Sequence, residues 1–351
     1  MRTPKRLTSC WARRWRRCFK DCRPVRVRCH QISTMSNNVQ GVHSAAPLMP
    51  YGRVSGVEAG VSRIVMGTLG SQELGSASVM FDEFVAAGGN CFDTARHYGA
   101  AELVLGQWMK NRGVRDETVV ITKGAHTPNC NPETLTKELG ESLERLQTDS
   151  VDIYFLHRDN LDVPVGDFVD VLNRHQESGQ VSVFGGSNWS LARVAAANEY
   201  AEKNGLTGFT VLSNHLSLAR MVEPPWAGCL AASDAASRGW LAEQNMPLFP
   251  WSSQARGFFA DGRADPANRS EPELVRCWYS EANFKRLERA RQMADERGVT
   301  AIGIALAYVL NLPFPTFPII GPLLPEETRT SLAALDVALS PADIRWLNLE
   351  D

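Results

Sequence analysis

Asn90-Cys91-Phe92-Asp93 is a short apolar run closed by a carboxylate, with Tyr98 five residues on. The same construction recurs in a fixed order down the chain. Thr118-Val119-Val120-Ile121-Thr122 runs into Lys123, residues 151–156 run into His157, and residues 181–186 run into Ser187-Asn188. A short strand ending in a polar group, followed by a helix, is the repeating unit of a (β/α)8 barrel, whose active sites gather at the C-terminal ends of the strands. The expected fold class is therefore α/β, a (β/α)8 TIM barrel. Successive strand ends would bring a carboxylate, a phenol, an ammonium and an imidazole to one place, which is the makeup of an acid–base site.

Working outward, the strand candidates lie around residues 62–67, 90–94, 118–123, 151–157, 181–187, 208–214, 246–252 and 316–321. Pro247, Pro250 and Pro318 remove ladder donors from the last two, which argues against central strands there. Helical patterns alternate with the strands, and this favours a parallel sheet. Asn131-Pro132 reads as a cap with proline at the first helical position, followed by Leu135, Leu139, Leu143 and Leu146 at helical spacing. Ser190 reads as a second cap, and Gly179 and Gly298 as C-terminal stops. The connections after the sixth strand and from Ser253 to Ser280 are long, as lids and substrate walls at the C-terminal face tend to be. Residues 300–324 contain no charge, but four prolines and Asn311 interrupt them. A buried helix and strand fit that stretch better than a membrane span.

The length of 351 residues suits one large domain, and 44% hydrophobic with 22% charged residues is ordinary for a globular protein. The formal charge of −2 hides a split: residues 1–40 hold eleven Lys or Arg against Asp21 alone, leaving 26 basic and 38 acidic residues in the rest. So acidic a body is a poor partner for nucleic acid. The organisation expected is a basic leader over residues 1–49 and a single barrel domain over residues 50–351. Three readings of the leader stay open: an upstream start with translation beginning at Met35, a mitochondrial transit peptide, or a functional tail. It lacks the apolar stretch of a secretory signal. The body is expected in the cytoplasm, or in mitochondria if the leader is a transit peptide. Cys18, Cys22, Cys29 and His30 fit no common zinc spacing, and Cys91, Cys130, Cys229 and Cys277 are scattered, as free thiols in a reducing compartment are.

Phe92-Asp93-Thr94-Ala95-Arg96-His97-Tyr98-Gly99-Ala100-Ala101-Glu102 followed by Leu105-Gly106 resembles the FDTAxxYGxxExxLG signature of the aldo-keto reductases. Thr122-Lys123, Asp152-Ile153-Tyr154-Phe155-Leu156-His157 and Gly186-Ser187-Asn188 match the next motifs of that family in order. The resemblance runs from about Val61 to Leu347. It implies NAD(P)H-dependent carbonyl reduction on a (β/α)8 barrel, with Asp93, Tyr98, Lys123 and His157 as the catalytic tetrad. The chemistry is consistent without the name. A tyrosine with a pKa of about 10 is protonated at neutral pH, and a nearby ammonium stabilises its phenolate. Asp93 can hold Lys123, and His157 can orient a carbonyl oxygen. Taken singly, each has a plainer reading: a helix cap, a packing ring, a solvated charge and a satisfied core histidine.

The resemblance further implies cofactor contacts from Gly67, Thr68 and Asp93, and from Ser187 and Asn188 to the carboxamide. Ser213 or Asn214 stands where a glutamine is usual, and Trp251 where a tyrosine usually stacks on the nicotinamide. Ser252, Ser253, Gln254, Arg256 and Gly257 form the loop expected to wrap the pyrophosphate. At the adenine end, Gly321 and Arg329 remain, but Leu323 occupies the position of an arginine that clamps the 2′-phosphate. NADPH is the expected cofactor, with NADH as the alternative. His97, His126, Arg158 and Trp189 adjoin the tetrad in sequence and are expected to line the substrate pocket, with Trp226 and Cys229 as a further wall. Such polar neighbours suit a sugar or another polar carbonyl compound. No metal is expected, because no His-x-His pair follows the first strand. A nucleotide-sensing regulatory barrel with negligible turnover is the competing reading from a different class. The partner expected is a small carbonyl compound, with no nucleic acid and no membrane, and the sequence leaves the oligomeric state open.

Overall fold

The computed structural model describes residues 49–350; the basic leader and its cysteines lie outside the described residues. The sheet is built from β3 (Val65–Gly67), β4 (Cys91–Asp93), β5 (Val119–Gly124), β6 (Val151–Leu156), β7 (Val181–Ser187), β8 (Val211–Ser213) and β9 (Ile319–Ile320). Its order is β8-β7-β6-β5-β4-β3-β9 with every pairing parallel. Parallel bridges from Leu212 to Leu248 and from Leu248 to Thr316 join the two edges and close the barrel. The seventh barrel strand is thus reduced to the stretch around Leu248.

The prolines that argued against the last two strands are accommodated because only their carbonyls are used. Pro247 O accepts from Leu212 N at 3.0 Å, Pro250 O from Ile319 N at 3.0 Å, Pro315 O from Leu248 N at 2.9 Å and Pro318 O from Val65 N at 3.0 Å. Leu248, Phe249 and Phe317 supply the N–H donors in between. A proline in a parallel ladder costs nothing at a position whose N–H has no partner to meet.

The first strand candidate divides. Val61–Ser62 (β2) pairs antiparallel with Tyr51–Gly52 (β1), and only Val65–Gly67 enters the barrel. Arg63 holds the break, donating to Leu310 O at 2.6 Å and Thr316 O at 3.1 Å. Met49, assigned to the leader by sequence, is already buried in the outer core.

Helices α1 (Leu74–Ala86), α2 (Ala101–Arg112), α3 (Pro132–Leu146), α4 (Val165–Glu177) and α5 (Leu191–Asn204) follow β3 to β7 in turn. The remainder are α6 (Ala235–Glu243), α7 (Pro272–Trp278), α8 (Glu281–Arg297), α9 (Ala301–Leu310), α10 (Pro325–Ala333) and α11 (Pro341–Leu347). The caps read from sequence form: Asn131 accepts from Thr134 N at 2.8 Å and Ser190 from Arg193 N at 3.2 Å. The uncharged stretch after Thr300 is the buried helix α9 followed by β9. No helix among the described residues is long and apolar enough to cross a membrane.

Two cores follow from the alternation of strand side chains. Inside the barrel lie Val65, Cys91, Val119, Ile121, Ile153, Phe155, Val183, Val211, Phe249, Phe317 and Ile319, with Val54 and Val61. Their neighbours Met66, Phe92, Val120, Tyr154, Leu156 and Phe184 face outward into the helix layer. A residue two positions beyond an inward apolar residue must also face inward, one layer nearer the barrel mouth. Counting two from Cys91, Ile121, Phe155 and Phe249 gives Asp93, Lys123, His157 and Trp251.

Candidate active site

Asp93, Lys123 and His157 are buried at 3%, 2% and 6% exposure, so each must have its polar atoms satisfied or used. Lys123 Nζ makes a short ion pair with Asp93 Oδ1 and donates to Thr94 O at 3.0 Å. Burial works against the Lys123 ammonium, but the Asp93 carboxylate beside it outweighs that and holds its pKa above the ordinary lysine value. Burial also pushes the Asp93 carboxyl up, opposed by Lys123. The pair is a closed dipole in an apolar wall, and the ammonium persists at neutral pH.

Tyr98 comes from the loop after β4. Its backbone N donates to Ala95 O at 3.0 Å, and Gln72 Nε2 donates to its carbonyl at 3.2 Å. Gln72 Oε1 accepts from Ala100 N at 2.9 Å, and Arg145 donates to Gly99 O. Gly99 has φ +59° and a Cβ there would meet Gln72, so the turn requires glycine. Lys123 Nζ lies 5.2 Å from the centroid of the Tyr98 ring, and the His157 ring 5.6 Å. Burial raises the Tyr98 pKa above the usual phenol value, and Lys123 and Arg158 only partly offset it. The ammonium stabilises the phenolate less than burial disfavours it, so the phenol is firmly protonated at neutral pH in the free protein.

His157 is held well below the ordinary imidazole range, first by burial and then by Lys123 and Arg158. It is a neutral ring whose Nδ1 is buried without a partner. His126 stands 4.9 Å from it edge-on and stacks on His97 at 4.3 Å. Burial lowers the His126 pKa as well. His97 and His126 thus stand beside His157. No group of three or more His, Cys, Asp or Glu among the described residues is placed to hold a metal.

The remaining candidates divide into two sets. Ser187 Oγ donates to Ser213 O at 2.9 Å, Ser213 Oγ to Phe249 O at 2.9 Å and Ser253 Oγ to Ile319 O at 2.8 Å, so these hydroxyls stitch strand ends together. Asn214 spends its amide on the backbone of Trp189, donating at 2.8 Å and accepting at 3.2 Å. Asn188, at φ +61°, accepts from Leu230 N at 3.1 Å and so ties the long loop to the barrel mouth. In contrast, Thr68 Oγ1, Thr94 Oγ1 and Trp251 Nε1 are buried polar atoms without protein partners. Orphaned groups at the strand ends fit a ligand that supplies the missing bonds, as a nicotinamide nucleotide would. After Ser252 (φ +48°), the segment Ala255-Arg256-Gly257 turns through left-handed backbone at φ +49°, +54° and +82°. Such conformations cost about 1–3 kcal/mol each in non-glycine residues and concentrate at ligand sites.

Trp189 is not a pocket residue. It is fully buried against Phe168 and Phe209, with Nε1 donating to Arg158 O at 3.1 Å. Position 189 follows the mouth layer and turns back into the helix layer, which adjacency in sequence does not reveal. At the rim, Gly321 and Leu323 are exposed, and Arg329 pairs with Glu83 at 2.5 Å and Glu326 at 3.0 Å. Arg256 is likewise committed to Glu273 at 2.9 Å.

Several supporting residues escaped the sequence reading. Glu102, fully buried, accepts from Thr122 Oγ1 at 2.7 Å and Arg145 Nε at 2.9 Å, anchoring the strand that carries Lys123. His215 packs on Trp251 at 5.0 Å and hydrogen-bonds its carbonyl at 3.1 Å. An internal acid in the Tyr98 motif was the available signal for Glu102; nothing in the local sequence marks Gln72 or His215.

A model of the Aldo/keto reductase family matches residues 63–348. A putative aryl-alcohol dehydrogenase of Saccharomyces cerevisiae is 28% identical over 303 residues, covering 80% of this chain and 78% of its own. Norsolorinic acid reductase A of Aspergillus parasiticus is 28% identical over 329 residues, covering 86% and 81%. An uncharacterised oxidoreductase of Bacillus subtilis is 28% identical over 313 residues, covering 82% and 91%.

Proposed function

Because the chain belongs to the aldo/keto reductase family of oxidoreductases, we propose that it reduces an aldehyde or ketone with NADPH, Tyr98 giving the proton. The observation that carries this reading is the cluster in which the half-buried Tyr98 meets the buried Asp93, Lys123 and His157. When bound, the reduced nicotinamide supplies the hydride. The neutral His157 donates a hydrogen bond to the substrate oxygen and fixes its orientation. As negative charge grows on that oxygen, Tyr98 O–H transfers its proton, and Lys123 stabilises the phenolate left behind. Asp93 keeps Lys123 charged and in place. A phenol buried beside an ammonium is a weak acid until the alkoxide forms beside it, so the proton moves only with the hydride.

Thr68, Asn188, Trp251 and the left-handed segment that includes Arg256 and Gly257 are the groups proposed to hold the cofactor. At its adenine end Leu323 offers no cation, and Arg329 is already paired, so discrimination between NADPH and NADH should be modest. Trp226, 43% exposed and 6.4 Å from Trp251, offers an aromatic face beside the mouth. Together with the names of two relatives, an aryl-alcohol dehydrogenase and a norsolorinic acid reductase, this favours an aromatic carbonyl compound carrying polar groups over a sugar.

The test is oxidation of NADPH or NADH with a panel running from activated aromatic aldehydes to dicarbonyls and ketosugars. Tyr98→Phe should lower turnover by about 10²–10⁴-fold while the cofactor dissociation constant stays within about twofold. Near-normal turnover in that variant would remove Tyr98 from the mechanism. Tight nucleotide binding with no turnover on any carbonyl would favour a sensing barrel instead.

A further inference from the structure

Arg158 is as buried as Asp93, Lys123 and His157, at 5% exposure, yet no carboxylate among the described residues pairs with it. Its Nη1 donates to His157 O at 2.8 Å, Nη2 approaches only the Cys229 thiol at 3.5 Å, and Nε has no partner. The neighbouring acid, Asp159, is turned away and holds Arg193 with both oxygens at 2.9 Å. Neither nearby thiol is a counter-ion. Burial pushes Cys130 up to about 12 and raises Cys229, so both stay protonated. Arg286 is buried to a similar degree, but it bonds Asn283 and Asn348 and has the Glu350 carboxylate in range. Arg158 has no such relief.

The charges at the mouth therefore do not cancel. Asp93 and Lys123 neutralise each other and His157 is neutral, so Arg158 leaves one positive charge. It lies near enough to pull on Tyr98, His157 and His126. An unpaired interior cation is unfavourable, and a fork with two free N–H directions matches a carboxylate. Gly228, at φ +74°, passes beside the guanidinium: a Cβ there would stand 3.6 Å from Cδ and 3.7 Å from Nε, in ordinary contact. The same turn carries Trp226, whose carbonyl accepts from Cys229 N at 3.3 Å.

We propose that Arg158 is a specificity site for a carboxylate on the substrate, separate from the carbonyl that is reduced. The substrate class is an aromatic aldehyde or ketone bearing a carboxylate, with its ring against Trp226 and its anion on the guanidinium. The substrate assignment rests on the reductase reading, but the anion site does not.

The experiment compares 2-, 3- and 4-carboxybenzaldehyde with the corresponding carbamoylbenzaldehydes on the full chain. The wild type should favour the best carboxylate isomer over its amide by about tenfold or more in kcat/KM. Arg158→Gln should bring that ratio to about one, a loss of about tenfold or more, through KM, and Arg158→Lys should lower it less. Unchanged cofactor affinity separates this from a phosphate contact. In Tyr98→Phe, tryptophan fluorescence should still report binding of the carboxylate isomer, and the Tyr98→Phe/Arg158→Gln double variant should lose it. If Arg158→Gln fails to fold, the comparison with Arg158→Lys carries the test. A wild type indifferent to the carboxylate, or equal losses on acid and amide, overturns the proposal. Binding that depends on Arg158 without any turnover keeps the anion site and sinks the reductase reading.

Discussion

The barrel mouth and the rim segment over residues 321–329 carry the two halves of the proposed cofactor site, and they are built on opposite principles. At the mouth, Asp93, Lys123 and His157 extend the inward rows of the interior core and are almost wholly buried. Their positions follow from strand alternation, and their protonation follows from burial and from one another. On the rim, Leu323 and Leu324 are 66% and 57% exposed, and Arg329 spends its guanidinium on Glu83 and Glu326. Glu327 accepts from the backbone of Leu323 and Leu324 at 2.6 and 3.2 Å, so an acid caps the segment where a phosphate would be welcomed by cations. Chemistry fixed by a packed layer resists change, whereas chemistry on a solvated loop can be rewritten one residue at a time.

The sharpest way to break that contrast is Lys123→Met. It leaves Asp93 buried beside a methyl group, and should cost about 3 kcal/mol or more of stability in urea unfolding, besides turnover. Replacing both partners, Asp93→Asn with Lys123→Met, should return at least half of that loss. A stable single variant would show that the mouth is not a closed electrostatic unit.

The next effect is a pH dependence. His215 is lowered from 6.5 to about 4 by burial, against the bonds to the Trp251 and Ala219 carbonyls, and His157 is lowered well below its usual value. Below pH 6.5 the unfolded chain binds protons that these folded rings refuse. Their contribution to stability is therefore complete above pH 6.5 and is lost as pH falls toward the folded values. Between pH 6.5 and 5 the loss should approach 1.4 kcal/mol per pH unit for each ring. Flat unfolding midpoints over that range would contradict neutral, buried imidazoles at the mouth.

The rim should respond more gently. Leu323→Arg is expected to shift preference toward NADPH by about tenfold, reduced from a full bidentate contact by the acids around it. Arg329→Ala should alter the ratio of affinities by less than about threefold, because its side chain is exposed and paired. A collapse of NADPH binding in Arg329→Ala would show that the rim supplies the phosphate clamp after all, and the contrast between the regions would fail.

Most of the mouth was legible in the sequence because burial imposes a period of two on each strand. Asp93, Lys123 and His157 are polar residues at the ends of apolar runs, and such residues have few places to go. Pro247, Pro250 and Pro318 weakened the reading of the last two strands, since only the ladder register shows that their carbonyls act as acceptors. Trp189 misled in the other direction. It adjoins Asn188, but the chain turns there and sends the indole into the helix layer. Residues that act across the chain, such as Gln72 on the Tyr98 loop and His215 on Trp251, left no local mark.

The sequence by itself determined the barrel, the family and the candidate acid–base groups, because motifs, strand alternation and helix capping are local rules written in residue order. Tertiary structure alone decided the state of those groups. Only packing shows that Tyr98 is a weaker acid than a free phenol, that His157 is neutral, that Asn214 is spent on Trp189, and that the buried Arg158 has no carboxylate partner. Each of these depends on solvent exclusion and on charges brought together from distant parts of the chain, and no local pattern encodes them.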